Sequence, residues 1–507
     1  MEKAVDMNSQ KGKVLRWIEV VGNKLPHPFM LFVYLSIGMI ILSALLSYAD
    51  LSVTHPGKNE VVEIKSLLSQ EGISWMLTNM LTNFVEFKPL GLVIAMTLGI
   101  GLAEQVGLIQ VVLRKMILRV HARLVTFMVV FTGILGNLAS DAAFVIIPPL
   151  AAMVFHAIGR NPIAGLAAGF AGVGSGFTAN FIVSGTDALL SGISTEVAKT
   201  IDPNISVSPI DNWYFMSASV IFLSLLGTWI TEKLVEPKLG KIDDQGEVKK
   251  LEHLTEQENK ALKVSGLVAL AYIVLIGFLV IPPNAILRDP ETGSIVDSPF
   301  LDGIIPIILI FFMLVSVAYG LKMGKIKSQK EFAGLLSEAV STMAPFIVLV
   351  FAASQFIAYF NWSNVGVLLA VEGANFLKSI HLTGMPIIVI FTIITALLSL
   401  VIFSGSALWA VLAPVFIPMF MLLGFEPAFV QLAYRIADSS TNTISPLNPY
   451  LPMLLIFVQK YRKDAGFGTL ISIMIPYAVI FLVVWIILMV VWYYLGLPIG
   501  PGVGAHL

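Results

Sequence analysis

The sequence predicts an all-α polytopic membrane protein with nine transmembrane helices plus two re-entrant helical hairpins in an inverted repeat. Three observations lead there. Hydrophobic residues make up 57% of the 507 positions and charged ones 12%, with a mean hydropathy of +0.87, whereas soluble domains carry about 25% charged residues. Apolar runs of about 20 residues, the length that crosses a bilayer, recur along the whole chain. Two apolar stretches, 124–159 and 385–424, are too long for one crossing, and each is interrupted midway by polar residues.

Composition also excludes several functions. A net charge of −1 without a basic tract gives no ground for nucleic-acid binding, and zero Cys removes disulfides and thiolate metal sites. The seven His are scattered and form no His-Glu-x-x-His spacing. No Walker A motif appears, so ATP-driven transport is not expected of this chain alone. No cofactor is expected beyond a coupling ion, Na⁺ or H⁺.

Residues 1–26 are polar and Lys-bearing, and the first apolar run comes too late and runs too long for a signal-peptide core. It is read as the first span. Spans are expected near 28–48, 89–110, 163–183, 213–231, 264–282, 303–321, 340–360, 427–456 and 469–496. Between them, 49–88 reads as a mixed extracytoplasmic loop, 240–260 as a charged cytoplasmic loop and 361–379 as interfacial. Gly99-Ile100-Gly101 and Glu104 read as a close helix contact and a helix end. Trp485, Trp492, Tyr493 and Tyr494 fit membrane-interface anchors on the last helix.

Lys- and Arg-rich loops stay cytoplasmic, and this sets the topology. The N-terminal segment carries Lys11, Lys13, Arg16 and Lys24, and Arg114, Lys115, Arg119 and Arg123 follow the second span. If 124–159 crossed the bilayer, Arg160 would lie outside and every later loop would invert. If it dips in and returns, then Arg160, the Lys-rich loop 232–263, Lys322 to Lys330 and Lys460 to Lys463 all fall inside. The second broken stretch must then enter and leave from the outer face, between Thr383 and Glu426. The N-terminus is cytoplasmic and the C-terminus outside. Thr126 to Leu138 spans ~20 Å as helix, enough to bring a tip just past the centre of a ~30 Å core, so two opposed tips would meet near the midplane. Such inverted repeats are common in secondary transporters. The chain then divides into scaffold helices 1–122, a first hairpin and broken helix 123–211, scaffold 212–383, a second hairpin and broken helix 384–463, and a terminal scaffold helix 464–507.

The interruptions carry the candidate chemistry. The first, Gly136 to Asp141, is answered by Thr178-Ala179-Asn180 and Gly185-Thr186-Asp187. The second, Ser404 to Trp409, is answered by Arg435 to Asn442. Ser140 and Ser404 are 264 residues apart, and Asn180 and Asn442 are 262 apart, which indicates one binding unit per half. A charge at the bilayer centre costs roughly 2.5–3.5 kcal/mol, so Asp141, Asp187, Arg435 and Asp438 unpaired would cost about 10 kcal/mol. Two readings stay open. Arg435 and Asp438, at i and i+3, could pair structurally; alternatively, Arg435 faces a substrate carboxylate while the aspartates handle cations or protons. Helices that end in mid-membrane leave free carbonyls for a cation, and those that start there leave free N–H groups for an anion. Asn137, Ser140, Thr178 and Asn180 in the first half, and Ser404, Ser406, Thr441, Asn442 and Thr443 in the second, either supply hard oxygen ligands for an ion such as Na⁺ or only cap broken helices. Pro148-Pro149, Pro414 and Pro418 lie in the return arms, Pro446 and Pro449 follow Asn442, and Gly172, Gly174 and Gly176 read as an unwound approach to Thr178. Trp409 could stack on an aromatic substrate or pack the hairpin.

Longer motifs add a family resemblance. Gly22 to Pro28, Ser140 to Ala143, Gly172 to Asn180, Thr186 to Glu196, Ser404 to Trp409, Arg435 to Ser440 and Gly496 to Gly502 together resemble the AbgT family across essentially the whole chain. These are bacterial p-aminobenzoyl-glutamate transporters, also described as exporters of sulfonamide antimetabolites. The resemblance implies a homodimer of nine-span protomers in the inner membrane and a small aromatic dicarboxylate as substrate. It also implies functional sensitivity at Asp187, Ser406, Trp409, Pro427, Arg435, Asp438 and Pro446. Members differ in Na⁺ or proton coupling and in direction. An intramembrane enzyme lacks support, since no His-based metal site or Ser/His pairing falls at mid-membrane. A passive channel would not need two closed hairpins and buried titratable groups.

Overall fold

The computed structural model describes residues 26–54, 60–118, 121–240, 254–296 and 298–507, and of 139–141 the backbone alone. Lys11, Lys13, Arg16, Lys24, Arg119, Lys241, Lys249 and Lys250 lie outside the described residues, as do the side chains of Ser140 and Asp141. Among the described residues the regular structure is helical apart from a two-stranded ribbon, β1 (Ser52–Thr54) with β2 (Val61–Glu63).

In chain order the helices are α1 (Pro28–Tyr48), α2 (Gln70–Val85), α3 (Lys88–Gln105) and α4 (Leu108–Leu118). Then come α5 (Val125–Leu135), α6 (Ser140–Ala157), α7 (Pro162–Ser175), α8 (Gly185–Ala198) and α9 (Trp213–Ile230), which a π-turn extends to Leu239. Next are α10 (Glu256–Val280), α11 (Ile304–Met323), α12 (Gln329–Ser341), α13 (Ala344–Trp362) and α14 (Val365–Ser379). The last five are α15 (Met385–Ser399), α16 (Gly405–Met421), α17 (Pro427–Thr441), α18 (Leu451–Gln459) and α19 (Phe467–Tyr494). Among the described residues, seven helical segments are long and apolar enough to cross a membrane: α1, α2 with α3, α9, α10, α11, α13 and α19. Helices α5 to α8 and α15 to α18 are shorter.

The short helices build two units. In the first, α5 and α6 fold back on each other through a 3₁₀ turn at Gly136–Ala139. Their base is closed where Arg160 Nη1 donates to Thr126 Oγ1 at 2.7 Å, so the stretch 124–159 leaves from the side it entered. In the second, α15 and α16 join through residues 400–404, and Phe391 packs on Phe416 and Phe420 across the arms. A broken helix follows each unit, α7 with α8 and α17 with α18.

Polar contacts between loops sort the connections into two sets. Arg160 binds Glu232 and Glu236, and Arg114 binds Glu258. On the other side, the C-terminal tail closes on the loop before α17, with Glu426 N–H donating to Ala505 O and Leu507 N–H to Gly424 O. It also closes on the start of α9, where Tyr214 N–H donates to Ile499 O. Each contact joins loops that the Lys and Arg pattern put on the same side.

Four expectations change. The stretch 49–88 contains α2, capped by Ser69, whose Trp75 and Phe84 pack on Trp362 and Phe351. The interfacial stretch 361–379 is mostly α14, with Val365 and Ala370 buried. Gly172 and Gly174 are not unwound; they lie inside or at the end of a regular α7, where a Cβ on Gly172 would meet Val130 O at 2.6 Å and one on Gly174 would meet Thr443 at 2.6 Å. A Cβ on Gly176, just past the helix end, would likewise meet Ile134 at 2.5 Å. Small residues there let α7 touch hairpin backbone, the packing expected where lipid gives no hydrophobic drive. Trp485 is no interface anchor. It is fully buried and donates to Ser219 Oγ at 2.9 Å.

Candidate functional site

Where a helix stops inside the protein, its end groups need partners. Asp187 is the third residue of α8 and caps its start. Its Oδ2 accepts from the Ser184 backbone N–H at 2.7 Å, the Ser184 hydroxyl at 2.8 Å and Asn180 Nδ2 at 2.7 Å. Its Oδ1 takes Arg435 Nη2 from α17, in the second unit, at 2.6 Å, with the side chains 2% and 1% exposed. The same Nη2 donates to the Thr178 carbonyl at 2.6 Å, and Nη1 reaches Asn212 Oδ1 at 3.5 Å. Arg435 Nε has no partner among the described residues. The i, i+3 pairing of Arg435 with Asp438 is therefore not formed. The first unit offers the guanidinium a carboxylate and a carbonyl together.

Asp438 lies elsewhere. It packs against Gly405, the first residue of α16, where an added Cβ would come 2.8 Å from Oδ2. Its Oδ1 is buried without a partner among the described residues, an uncommon state for a carboxylate oxygen. Ser404 caps α16 and its hydroxyl is 3.2 Å from that of Ser406.

The two breaks cross and bond. Thr178 Oγ1 is 2.7 Å from Ser439 Oγ, and Ser175 Oγ is 2.7 Å from Thr443 Oγ1. Each turn, the one between α5 and α6 and the one between α15 and α16, is held by the helix break that follows it in the chain. Asn137 Nδ2 donates to the carbonyls of Phe177 at 2.8 Å and Ala179 at 3.1 Å, while Ser445 Oγ donates to Leu400 O at 3.1 Å. Ser399 and Thr441 hydroxyls are also bonded. The tips are thus joined through the breaks. Asn137 Oδ1 and Asn442 Oδ1 are both buried and without partners among the described residues. Pro427 opens α17 and Pro446 lies between α17 and α18, so neither reaches the ion pair through a polar group.

Trp409 is fully buried on α16. Its ring lies 4.5 Å from that of Tyr434, and Nε1 donates to Ser194 Oγ at 3.1 Å. Ser194 bonds Gln431 Oε1 at 2.7 Å, and Gln431 Nε2 donates to Asn212 Oδ1 at 3.1 Å, which returns the chain of contacts to Arg435. Sequence reading missed Asn212 and Gln431, and it named Ser194 and Ser439 only as parts of the runs Thr186 to Glu196 and Arg435 to Asn442. Gln431 and Ser439 sit one turn before and after Arg435, so helical spacing could have found them; Asn212 lies outside every interruption and gave no signal. A cavity of about 360 Å³ opens beside this network, between the start of α8, the first hairpin tip, α3 and the α12–α13 junction. No group of three or more His, Cys, Asp or Glu is placed to hold a metal ion among the described residues.

The sequence profile of the AbgT transporter family matches residues 13–507. The chain belongs to that family. It is 47% identical over 500 residues to the p-aminobenzoyl-glutamate transport protein of Escherichia coli (strain K12), covering 99% of this chain and 98% of that one. Two solved AbgT-type structures superpose closely. The YdaH transporter of Alcanivorax borkumensis has a TM-score of 0.90 at 40% identity, covering 94% of this chain and 100% of that one. MtrF of Neisseria gonorrhoeae, described as illuminating a class of antimetabolite efflux pumps, has a TM-score of 0.91 at 42% identity, covering 97% and 100%. The AbgT protein described here is therefore a helical membrane transporter.

Proposed function

We propose that this protein is an ion-coupled secondary transporter that moves p-aminobenzoyl-glutamate, or a related aromatic carboxylate, across the bacterial inner membrane. The observation that carries this reading is the buried Arg435–Asp187 pair, which spans two repeats at the point where both are broken. Arg435 keeps donors in reserve, with Nε unpaired and Nη1 at 3.5 Å from its acceptor, and a substrate carboxylate would complete them. Asp187, Ser406, Trp409, Pro427, Asp438, Asn442 and Pro446 complete the substrate region. Trp409 is sealed behind Ser194, so stacking on a substrate ring requires the second hairpin to shift. Asp438, with its unpartnered oxygen, is suited to take H⁺ or Na⁺, and Asn137, Ser140, Asp141, Thr178, Asn180 and Ser404 are the other coupling candidates.

Nine spans result if each broken helix counts as one crossing, with the two hairpins entering from opposite faces. The N-terminus then lies in the cytoplasm and the C-terminus outside, and the hairpin-bearing core moves against a homodimeric scaffold. The likeness to MtrF favours a second direction, ion-driven efflux of sulfonamide antimetabolites. Uptake of labelled p-aminobenzoyl-glutamate into proteoliposomes, with Na⁺ and pH gradients imposed separately, tests the reading. Flux should follow one of the gradients and collapse in Arg435→Ala. Flux indifferent to both gradients would make the protein a channel, and wild-type flux in Arg435→Ala would remove that residue from the site.

A further inference from the structure

Asn212 departs from the habit of its position. It stands just before the first turn of α9, where an Asn side chain ordinarily accepts from its own helix, yet it makes no such bond among the described residues. The Tyr214 and Phe215 N–H groups are taken by the Ile499 carbonyl instead. The Asn212 amide, 1% exposed, is spent on α17. Its Nδ2 donates to the Ala428 carbonyl at 2.8 Å, and because a carbonyl only accepts, the amide cannot flip. Oδ1 therefore faces Gln431 Nε2 at 3.1 Å and Arg435 Nη1 at 3.5 Å.

That orientation propagates. Gln431, one turn before Arg435, must offer Nε2 to the Asn212 oxygen and Oε1 to Ser194, whose hydroxyl donates at 2.7 Å. Ser194 Oγ in turn accepts from Trp409 Nε1, which can only donate. Arg435 itself is gripped through Nη2, by Asp187 and the Thr178 carbonyl. A planar guanidinium held at one nitrogen can swivel, and a second point of reference sets its plane. Asn212 Oδ1 is that point. Its 3.5 Å separation from Nη1 exceeds the usual N–H···O length of about 2.7–3.2 Å, so it directs the donor without consuming it. We propose that Asn212 and Gln431 are positioning residues for transport: they set the plane in which Arg435 presents its spare donors to a substrate carboxylate, and they tie that plane to Trp409 on α16. The assignment rests on the reading of Arg435 as the carboxylate site and adds two residues that act through it.

The preference for acid over amide separates this role from simple packing. With full-length protein in proteoliposomes, KM is measured for p-aminobenzoyl-glutamate and for its two monoamides, each with one carboxylate replaced by a neutral carboxamide. Wild type should favour the acid over at least one monoamide by about tenfold, or 1.4 kcal/mol, the scale of one lost hydrogen bond to a charged group. Gln431→Met keeps the length of the side chain and removes its amide, and Ser194 still has the Leu190 carbonyl at 2.8 Å as acceptor. This variant and Asn212→Leu should each cut the preference to about threefold, by raising KM for the acid alone. Trp409→Phe, which removes the indole donor, should lower the preference too, and adding it to Gln431→Met should lower it no further. An unchanged preference in Gln431→Met and Asn212→Leu, or KM raised equally for acid and amide, overturns the positioning role and leaves the Arg435 reading intact. A further fall in the double variant overturns the tie to Trp409. A wild type that does not prefer the acid, or does not transport it, overturns the Arg435 reading and this one with it.

Discussion

Asp187 satisfies four donors at once: Asn180, the Ser184 amide, the Ser184 hydroxyl and Arg435. Removing it strands a guanidinium in a site that is 1% exposed. Breaking a buried pair from one side typically costs about 3–5 kcal/mol, while removing both charges can be close to neutral. Asp187→Ala and Arg435→Ala should each lower the thermal midpoint in detergent, and the double variant should recover part of the loss. Additive losses would mean that the two charges act separately. Gly405 offers a different prediction, since Ala there puts a methyl group against the Asp438 carboxylate. Gly405→Ala should abolish ion-coupled flux and lower the thermal midpoint, since the methyl group displaces a buried carboxylate; normal flux would remove Asp438 from the coupling site. In the loop before α17, burial pushes the Glu426 carboxyl up from its ordinary 4.5 to about 7. Between those values the folded state holds more protons than the unfolded one, so stability falls as pH rises through that window. Glu426→Gln should flatten the profile, with its advantage over wild type present at pH 8 and absent at pH 4 in thermal unfolding.

At the scale of elements, close backbone approach holds the first hairpin to the broken helix behind it. A Cβ on Gly172 would lie 2.6 Å from Val130 O, whereas one on Gly38 in α1 would meet nothing within 4 Å. Gly172→Ala should therefore destabilise by about 1–3 kcal/mol, the usual penalty for overpacking, and Gly38→Ala should not. Equal midpoints would show that α7 can slide away from α5 freely. The same glycines mark where sequence reading failed. Alternating Gly suggested an unwound segment, yet what they supply is small volume, and the contact they permit lies on hairpin backbone that no local pattern reveals. α2 was missed because Thr78, Asn79, Thr82 and Asn83 dilute its hydropathy, and its apolar side finds its partner only on α13. The return of 124–159 to its own start, where Arg160 meets Thr126, was legible because Arg160 could not be placed outside without inverting every later Lys-rich loop. Arg435 and Asp187 were legible as costly buried charges. That they pair with each other was not, because 248 residues separate them and the partner is chosen by the crossing of two breaks.

For the whole molecule, contacts divide the connections into two groups but do not say which group is cytoplasmic. Arg160 with Glu236 and Arg114 with Glu258 belong to one group, and the tail at Ile499 and Ala505 with Tyr214 and Glu426 belongs to the other. Only the Lys and Arg bias assigns the first group to the inside. The chain contains no Cys, so single cysteines report without background. Asn204, in the exposed loop after α8, and Lys325, in the exposed loop after α11, fall in opposite groups. On intact spheroplasts, Asn204→Cys should react with a membrane-impermeant maleimide, and Lys325→Cys only after permeabilisation. The reverse pattern would turn the molecule over and bring the α5–α6 turn in from the outer face. The direction in which substrate meets the Arg435 site depends on that single assignment.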